Sequence, residues 1–221
     1  EWTLEVARFN PEKTSEYTYE VVRDGQTVRT EWRKHLLVLP EGPAPKTLVL
    51  NDRWHDRPAD APFYSSAFTG AIFGRKDVPA RKSKAGNVIF QTAVPTVRPN
   101  EVLALAGSSR ELGQWTKVIP FDSSRYPVWT LSLDVNEPFA YKLIVADKET
   151  LTPTAWEEGE NRWFGMLPQK DEVVVEAALQ VHFGGRNWKG AGTAIPVFSL
   201  RTEDDFGVGE FYDLKKMVDW A

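Results

Sequence analysis

Short runs rich in β-branched and aromatic residues recur along most of the chain, and this pattern restricts the fold more than any other feature. The runs occupy residues 17–22, 36–39, 102–105, 129–133 and 139–145. Turn-forming pairs such as Asp24-Gly25 and Pro99-Asn100 separate them, at the spacing typical of antiparallel β-sandwiches. Asp24-Gly25, between EVVR and QTVRT, predicts a two-residue hairpin turn. The sequence therefore predicts a mostly β protein.

The β-rich phrases near the start of the chain recur, in the same order, in its middle. Four pairs of phrases match: Trp2-Thr3-Leu4 with Trp129-Thr130-Leu131, residues 17–22 with 139–144, Trp32 with Trp156, and Leu39-Pro40 with Leu167-Pro168. Such self-similarity indicates imperfect tandem modules. Because LGQW has no counterpart before Trp2, we expect the first module to be truncated. The β-rich runs at residues 47–50 and 173–181 are expected to close the two sandwiches.

These patterns divide the chain into four predicted segments. They are the C-terminal part of a first module (1–52), a linker (53–86), a second module (87–183) and the start of another domain (184–221). Basic clusters at residues 75–76 and 81–84 favour a solvated linker over an anion-binding site. The aromatic phrase at residues 63–68 is expected to pack on a neighbouring module, because exposed apolar patches usually find a partner surface.

Three phrases in the middle of the chain place aromatic faces beside polar groups. LGQW ends at Trp115, FAYK ends at Lys142, and WEEGENR occupies residues 156–162. Tryptophan offers a rigid apolar face, while lysine, glutamate and asparagine offer donors and acceptors for vicinal hydroxyls. The candidate sugar-binding residues are Trp115, Lys142, Trp156, Glu157 and Asn161. Trp129, which apolar residues flank in a predicted strand, is instead expected in the core.

The order LGxW, VW, YK and WExxxNR resembles the starch-binding domains of carbohydrate-binding module family 20, over roughly residues 87–167. The resemblance implies an immunoglobulin-like antiparallel sandwich whose first glucan-binding site contains the five candidate residues. It also makes Tyr126 a weak candidate for a second site. In the first copy, Glu20 replaces the lysine and the EGEN segment is missing, so Trp32 is a weak additional candidate.

The last forty residues change character. An apolar run in GTAIPVFSLR predicts a strand, and Phe211, Leu214 and Val218 fall on one face of a predicted helix. GAGTAIPVFSLR followed by GVGEFYDL resembles the opening of the (β/α)₈ barrel of glycoside hydrolase family 77, the 4-α-glucanotransferases or amylomaltases. Tandem starch-binding modules ahead of such a barrel resemble the two-module form of that family. We therefore expect the chain to be part of a longer protein.

The resemblance implies a parent enzyme that transfers α-1,4-glucan segments by a retaining mechanism, which needs a pair of carboxylates. In the family these carboxylates lie on later barrel strands, so no catalytic residue is expected in this chain. Three acidic residues near the end of the chain are interpreted as loop or helix surface: Asp204, Asp205 and Asp213. No cofactor is implied, and cytoplasmic location is an expectation from the relatives.

Composition excludes several other classes of protein. A net charge of -4 gives no general attraction to nucleic acid or anionic lipid, and no apolar run approaches the length of a membrane span. The chain has no cysteine, and His35, His55 and His182 are scattered without metal-ligand spacing, so no metal site is expected. The expected partner is an α-glucan polymer or maltooligosaccharide. Homo-oligomerisation or domain exchange is a further expectation, since either would complete the first module.

Three functions stay open at this stage. The parent protein is a glucanotransferase whose modules anchor the polymer, or a non-catalytic glycan-binding or scaffold protein. In the third alternative, the sandwiches serve protein interaction and their tryptophans are purely structural.

Overall fold

A computed structural model describes residues 15–39, 45–75, 85–186, 188–192 and 194–220. The strands in these residues are β1 (Ser15–Tyr17), β2 (Glu20–Arg23), β3 (Gln26–Thr30), β4 (His35–Leu37), β5 (Thr47–Asn51), β6 (Val88–Ala93), β7 (Glu101–Gly107), β8 (Ile119–Pro120), β9 (Asp122–Arg125), β10 (Val128–Leu133), β11 (Phe139–Asp147), β12 (Pro153–Trp156), β13 (Arg162–Phe164) and β14 (Glu172–Glu176). The one α-helix of the described residues is α1 (Phe211–Trp220). The predicted mostly β fold is confirmed.

Two sheets enclose the main hydrophobic core. One sheet has the strand order β5-β14-β6-β10-β9, and the other has the order β12-β11-β7-β8 with β13 also paired to β11. Along β11 the side chains alternate, so that Phe139, Tyr141 and Leu143 are buried in the core. Ala140, Lys142 and Ile144 therefore lie on the opposite, outer face of this sheet.

Aromatic side chains fill the space between the sheets. Phe90, Phe139 and Phe164 lie with ring centroids 5.3 to 6.2 Å apart. The Trp129 side chain is fully buried, and its Nε1 donates a hydrogen bond to the Val94 carbonyl at 2.9 Å. This bond satisfies the one polar atom of the indole. The prediction that Trp129 is a core residue is confirmed.

The hairpin predicted at Asp24-Gly25 is present between β2 and β3. Asp24 has φ 53° and Gly25 has φ 76°, the left-handed values that a type I′ turn requires at both central positions. The two strands pair antiparallel, and all their residues are exposed. Nearby, β1 pairs antiparallel with β4. In the described part of residues 15–46, these two-stranded sheets take the place of the sandwich that the repeat predicted.

Strand β5 differs from its prediction. It does not close a sandwich of its own but pairs in parallel with β14, so that Val49 lies opposite Val174. Strand β14 in turn pairs in parallel with β6, so the expectation of a purely antiparallel sandwich is wrong here. Leu48 and Leu50 pack against a small cluster of buried residues, Leu37, Ile89 and Val175. The burial of these apolar side chains explains why β5 pairs with β14 rather than forming a sandwich of its own. Trp2-Thr3-Leu4 and Pro40 lie outside the described residues.

The described part of the segment between the predicted modules contacts the sandwich. It contains a 3₁₀ turn at Ala61–Tyr64 and a π-helical turn at Ala67–Ile72. The Tyr64 hydroxyl donates a hydrogen bond to the Ala93 carbonyl at the end of β6, at 3.1 Å, as expected for an aromatic phrase that packs on a module. Lys76 and residues 81–84 of the basic clusters lie outside the described residues. The predicted domain boundaries stay predictions.

The chain divides into two compact units, Glu1–Arg186 and Asn187–Ala221. In the second unit α1 lies where a helix was predicted, whereas the described residues 188–192 and 194–200 contain a 3₁₀ turn at Val197–Ser199 in place of the predicted strand. That these elements open a barrel stays a prediction. A strand needs a neighbour for its backbone groups, and the described residues of this unit supply none. No helix in the described parts of the chain has the length and apolar character to cross a membrane.

Candidate functional site

The outer face of the second sheet gathers three of the five candidate residues. Ile144 on β11 lies opposite Trp156 on β12 and opposite Ala104 on β7, and Lys142 lies opposite Ala106. Directly opposed residues of antiparallel strands point to the same face. The small side chains Ala104 and Ala106 of β7 form, with Ile144, an apolar floor beside Lys142 and Trp156, and this floor is fully buried because Trp115 and Val118 pack against it. The sequence prediction did not include this floor, although the alternation of side chains along a strand places Ile144 on the same face as Lys142.

Trp115 reaches the same floor from the loop between β7 and β8. Its side chain is half-buried and packs against Ala104, Ala106 and Ile144. The loop turns sharply, since Gly113, Gln114 and Trp115 have φ values of 63°, 52° and 71°. This conformation is uncommon for residues other than glycine. The Trp115 N–H donates to the Gly107 carbonyl at 2.7 Å, which fixes the loop to the end of β7.

Trp156 is exposed on this face, with 46% of its surface accessible. It ends β12, and its cross-strand neighbour Ile144 also contacts Trp115. Two indoles thus border Ile144: that of Trp115 is half-buried, and that of Trp156 is exposed. Such rigid aromatic faces suit the apolar faces of sugar rings.

Lys142 stabilises the loop that follows Trp156. Its Nζ donates to the carbonyl of Glu157 at 3.2 Å and to that of Gly159 at 2.7 Å. Hydrogen bonds from an ionised donor are stronger than neutral ones. Asn161 is exposed at the end of this loop, whose backbone Lys142 holds at two carbonyls.

Glu157 differs from its expected position. Its side chain is only 3% exposed, its Oε1 accepts from the Leu143 N–H at 2.8 Å, and its Oε2 accepts from Arg162 Nε at 2.8 Å. Strand alternation explains the burial, because a residue that follows an outward Trp156 points inward. The carboxylate is thus not offered to ligand hydroxyls, and Glu157 positions the loop.

The two weak candidates lie in other environments. The Tyr126 hydroxyl donates to the Pro95 carbonyl at 2.5 Å, and the Arg75 guanidinium lies 5.5 Å from its ring centroid. Burial raises the pKa of Tyr126 to about 12. Trp32 meets Tyr64 edge to face, with centroids 5.4 Å apart. Neither residue contributes to the outer face that carries Trp156.

His35 and His55 are brought together, contrary to the scattered placement expected from sequence. Their rings stack with centroids 3.9 Å apart and an angle of 11° between their planes, and Glu31 accepts from His35 Nε2 at 2.9 Å. Glu31, His35 and His55 place one potential ligand atom each within 4.8 Å of one another. Stacked imidazoles direct their lone pairs in parallel rather than towards one point, which disfavours chelation in this arrangement.

The electrostatics of this cluster fit a structural role. Burial lowers the pKa of His55, and the neighbouring His35 lowers it further. Burial would raise the pKa of Glu31, but hydrogen bonds from His35 and from two backbone N–H groups leave it below its usual value. Tyr17 and Tyr19 each donate to Asp52 Oδ2 at 2.7 Å. We refer to Glu31, His35, Asp52 and His55 as the histidine cluster.

The three acidic residues near the end of the chain have structural contacts. Asp213 accepts from the Glu210 N–H at 2.7 Å and from the Thr202 hydroxyl, which stabilises the start of α1. Asp205 accepts from the Gly207 N–H at 2.7 Å, and Asp204 pairs with Lys216. Asp204 and Asp205 agree with the interpretation of a charged loop, but Asp213 is only 3% exposed, so its predicted place on the helix surface is wrong: its carboxylate is buried against the start of α1.

The starch binding domain family, carbohydrate-binding module family 20, matches residues 86–175. This range contains β6 to β13 and most of β14, and thus every residue of the outer-face site. The central part of the chain is therefore similar to starch binding domains.

Most of the chain is also similar to part of a larger enzyme. It is 31% identical over 232 aligned residues to the 4-alpha-glucanotransferase DPE2 of Oryza sativa subsp. japonica, which covers 94% of this chain and 24% of the relative. The chain thus spans about a quarter of the length of that curated relative.

Two solved structures are similar to part of the chain. The family 20 module of the maltotetraose-forming amylase from Pseudomonas saccharophila STB07 is 16% identical, with a TM-score of 0.36 over 42% of this chain and 98% of the other. The glycoside hydrolase family 15 glucoamylase from Hypocrea jecorina is 22% identical, with a TM-score of 0.36 over 46% of this chain and 18% of the other.

Proposed function

We propose that the outer face formed by β12, β11 and β7 binds α-glucans such as starch, glycogen or maltooligosaccharides. The observation that carries the proposal is that Trp115 and the exposed Trp156 both border the buried Ile144 on the outer face, beside Lys142. An aromatic platform removes the apolar faces of sugar rings from water, while adjacent polar groups fix the orientation of the ring hydroxyls. The match of residues 86–175 to starch-binding domains supports this proposal.

The site is held in place before any ligand arrives. Lys142 donates to two carbonyls of the loop, and the buried Glu157 bonds to both Leu143 and Arg162. A loop that is already ordered loses little conformational entropy on binding, so more of the contact energy appears as affinity. In this proposal Trp115, Trp156 and Asn161 contact the sugar. Glu157 positions the loop, and Lys142 both contacts the sugar and positions the loop.

We further propose that the whole protein is a 4-α-glucanotransferase that moves α-1,4-glucan segments by a retaining mechanism. The identity of 31% to the rice 4-alpha-glucanotransferase over 94% of this chain supports it. The module would then tether the polymer and raise the effective substrate concentration at a catalytic domain outside this chain.

Calorimetric titration of this chain with maltoheptaose and β-cyclodextrin tests the binding site. We expect binding by the wild type and loss of at least about tenfold in affinity in Trp156→Ala, because the exposed platform is removed. Trp32→Ala is the matched control and should bind like the wild type. Circular dichroism verifies that both variants are folded. A folded wild type that binds neither sugar would contradict the proposal.

A separate assay tests the activity. The full-length protein that contains this chain should transfer glucosyl segments from a maltooligosaccharide to glycogen, measured as a shift in the length distribution of the oligosaccharides. Glucan binding without transfer would show a non-catalytic glycan-binding or scaffold protein instead.

A further inference from the structure

Trp163 is the most exposed tryptophan of the described sandwich, with 69% of its surface accessible. It lies on β13, outside the set of residues that the family motif indicates. We propose that Trp163 is a further glucan contact that extends the outer-face site along the edge of β11. This inference rests on the proposed function of that face.

The pairing of the strands places Trp163 on the same face as Trp156. Trp163 lies opposite Ala140 on β11, and Trp156 lies opposite Ile144 on the same strand. Ala140, Lys142 and Ile144 are alternate residues of β11, so all three point outward. The neighbouring pair of Phe139 and Phe164 is buried, as alternation requires.

The two tryptophans lie along one edge of the sheet. Strands β12 and β13 pair with the edge of β11 that faces away from β7, since β7 occupies the other edge. The residues of β11 that lie opposite Trp163 and Trp156 are four positions apart, which corresponds to about 13 Å at the usual rise per residue of a strand. The loop that Lys142 stabilises joins the two positions. A single glucan chain that contacts both indoles must therefore be longer than one that contacts Trp156 alone.

The Trp163 ring is supported without being covered. A side chain at Gly165 would place its Cβ 3.2 Å from Trp163 Nε1, so the absence of a side chain there leaves room for the indole beside the backbone. Phe164, which is fully buried, provides the core packing of β13. The inward residue thus serves the core, and the outward indole is available for a ligand.

The test compares ligands of two lengths. Calorimetric titration of the whole chain with maltotriose and maltoheptaose should show that Trp163→Ala weakens maltoheptaose binding roughly fivefold and maltotriose binding less than about twofold. Trp163→Phe should retain most of the affinity, because a phenyl ring still stacks. Phe198→Ala is the matched control, since Phe198 is also an exposed aromatic residue, at 67%, and lies in the other unit.

Each outcome decides between separate statements. If folded wild-type protein binds neither sugar, the proposed function fails and the inference fails with it. If Trp156→Ala loses affinity but folded Trp163→Ala binds both sugars like the wild type, only the inference is overturned. An equal loss for both sugars in Trp163→Ala also overturns it, because the effect would not depend on reach along the edge of β11.

Discussion

Trp156 and Trp32 occupy matching positions of the sequence repeat, but their surroundings are opposite in kind. Trp156 is exposed on the outer face of a sheet, opposite Ile144, which belongs to the small apolar cluster that Trp115 packs against. Trp32 meets Tyr64 edge to face, while its neighbours Glu31 and His35 turn inward into the histidine cluster. The same residue types thus build a platform in one region and an internal polar network in the other. A tryptophan beside acidic and basic residues indicates a sugar site only when a strand presents it outward.

The largest expected effect is on the free energy of unfolding, and we expect it to differ between the two regions. Trp129→Ala should lower the free energy of unfolding by about 3–5 kcal/mol, because a fully buried indole leaves a cavity. Trp32→Ala should cost about 1 kcal/mol, because 36% of that side chain is already exposed. Urea unfolding followed by circular dichroism measures both. Equal losses would mean that Trp32 belongs to a core as complete as that of the sandwich.

The two buried glutamates give the next comparison. Glu157→Gln and Glu31→Gln should each cost about 1.5–3 kcal/mol, because each carboxylate accepts several hydrogen bonds inside the protein. Of these two variants, only Glu157→Gln should also weaken glucan binding, because Glu157 positions the loop after Trp156 and Glu31 does not. Urea unfolding and titration with maltoheptaose, run on the same samples, separate the two effects. A loss of affinity in folded Glu31→Gln would argue that the histidine cluster takes part in the site.

A smaller effect is expected at the lysine of the second copy and its counterpart, Glu20. Lys142→Met should weaken maltoheptaose binding roughly fivefold, because the loop loses two charge-assisted hydrogen bonds to its carbonyls. Glu20→Lys should create no new binding, since Glu20 lies on an exposed hairpin rather than beside an aromatic platform. Calorimetry of the two variants checks this. Unchanged affinity in Lys142→Met would show that the loop needs no such support.

The smallest effect is a dependence on pH that arises in the histidine cluster. The pKa of His55 is lowered from 6.5 in the folded protein, so the unfolded chain binds more protons below about that pH. The free energy of unfolding should therefore fall as pH drops from about 6.5 towards the lowered pKa. His55→Gln should show a shallower fall across this window in urea titrations at several pH values. A profile identical to that of the wild type would contradict this assignment.

Local patterns predicted local structure well. Asp24-Gly25 between two β-rich runs was sufficient for the hairpin, because its turn type depends on two residues only. The positions of Lys142 and Trp156 on one face follow from alternation along adjacent strands. The predicted involvement of the Glu157 carboxylate overlooked the same rule, since neighbours in one strand point to opposite faces.

Contacts between distant segments were not visible in the sequence. The pairing of β5 with β14 depends on a parallel register that no turn specifies. His35 and His55 stack although they are distant in the sequence, so spacing along the chain did not predict their contact. The strand predicted before α1 was based on an apolar run and on the resemblance of this segment to the opening of a barrel. A strand also needs a partner edge, and composition does not indicate one.

The parallel pairing of β5 has a consequence for biosynthesis. Asn51 and Glu176, which hydrogen-bond at 2.7 Å, are 125 residues apart in the chain. At the usual speed of a ribosome, about 5–20 residues per second, β5 emerges roughly 6–25 s before its partner strand. During that interval Leu48 and Leu50 have no sheet to join. The apolar strand β5 therefore stays without its partner strand until β14 has also emerged.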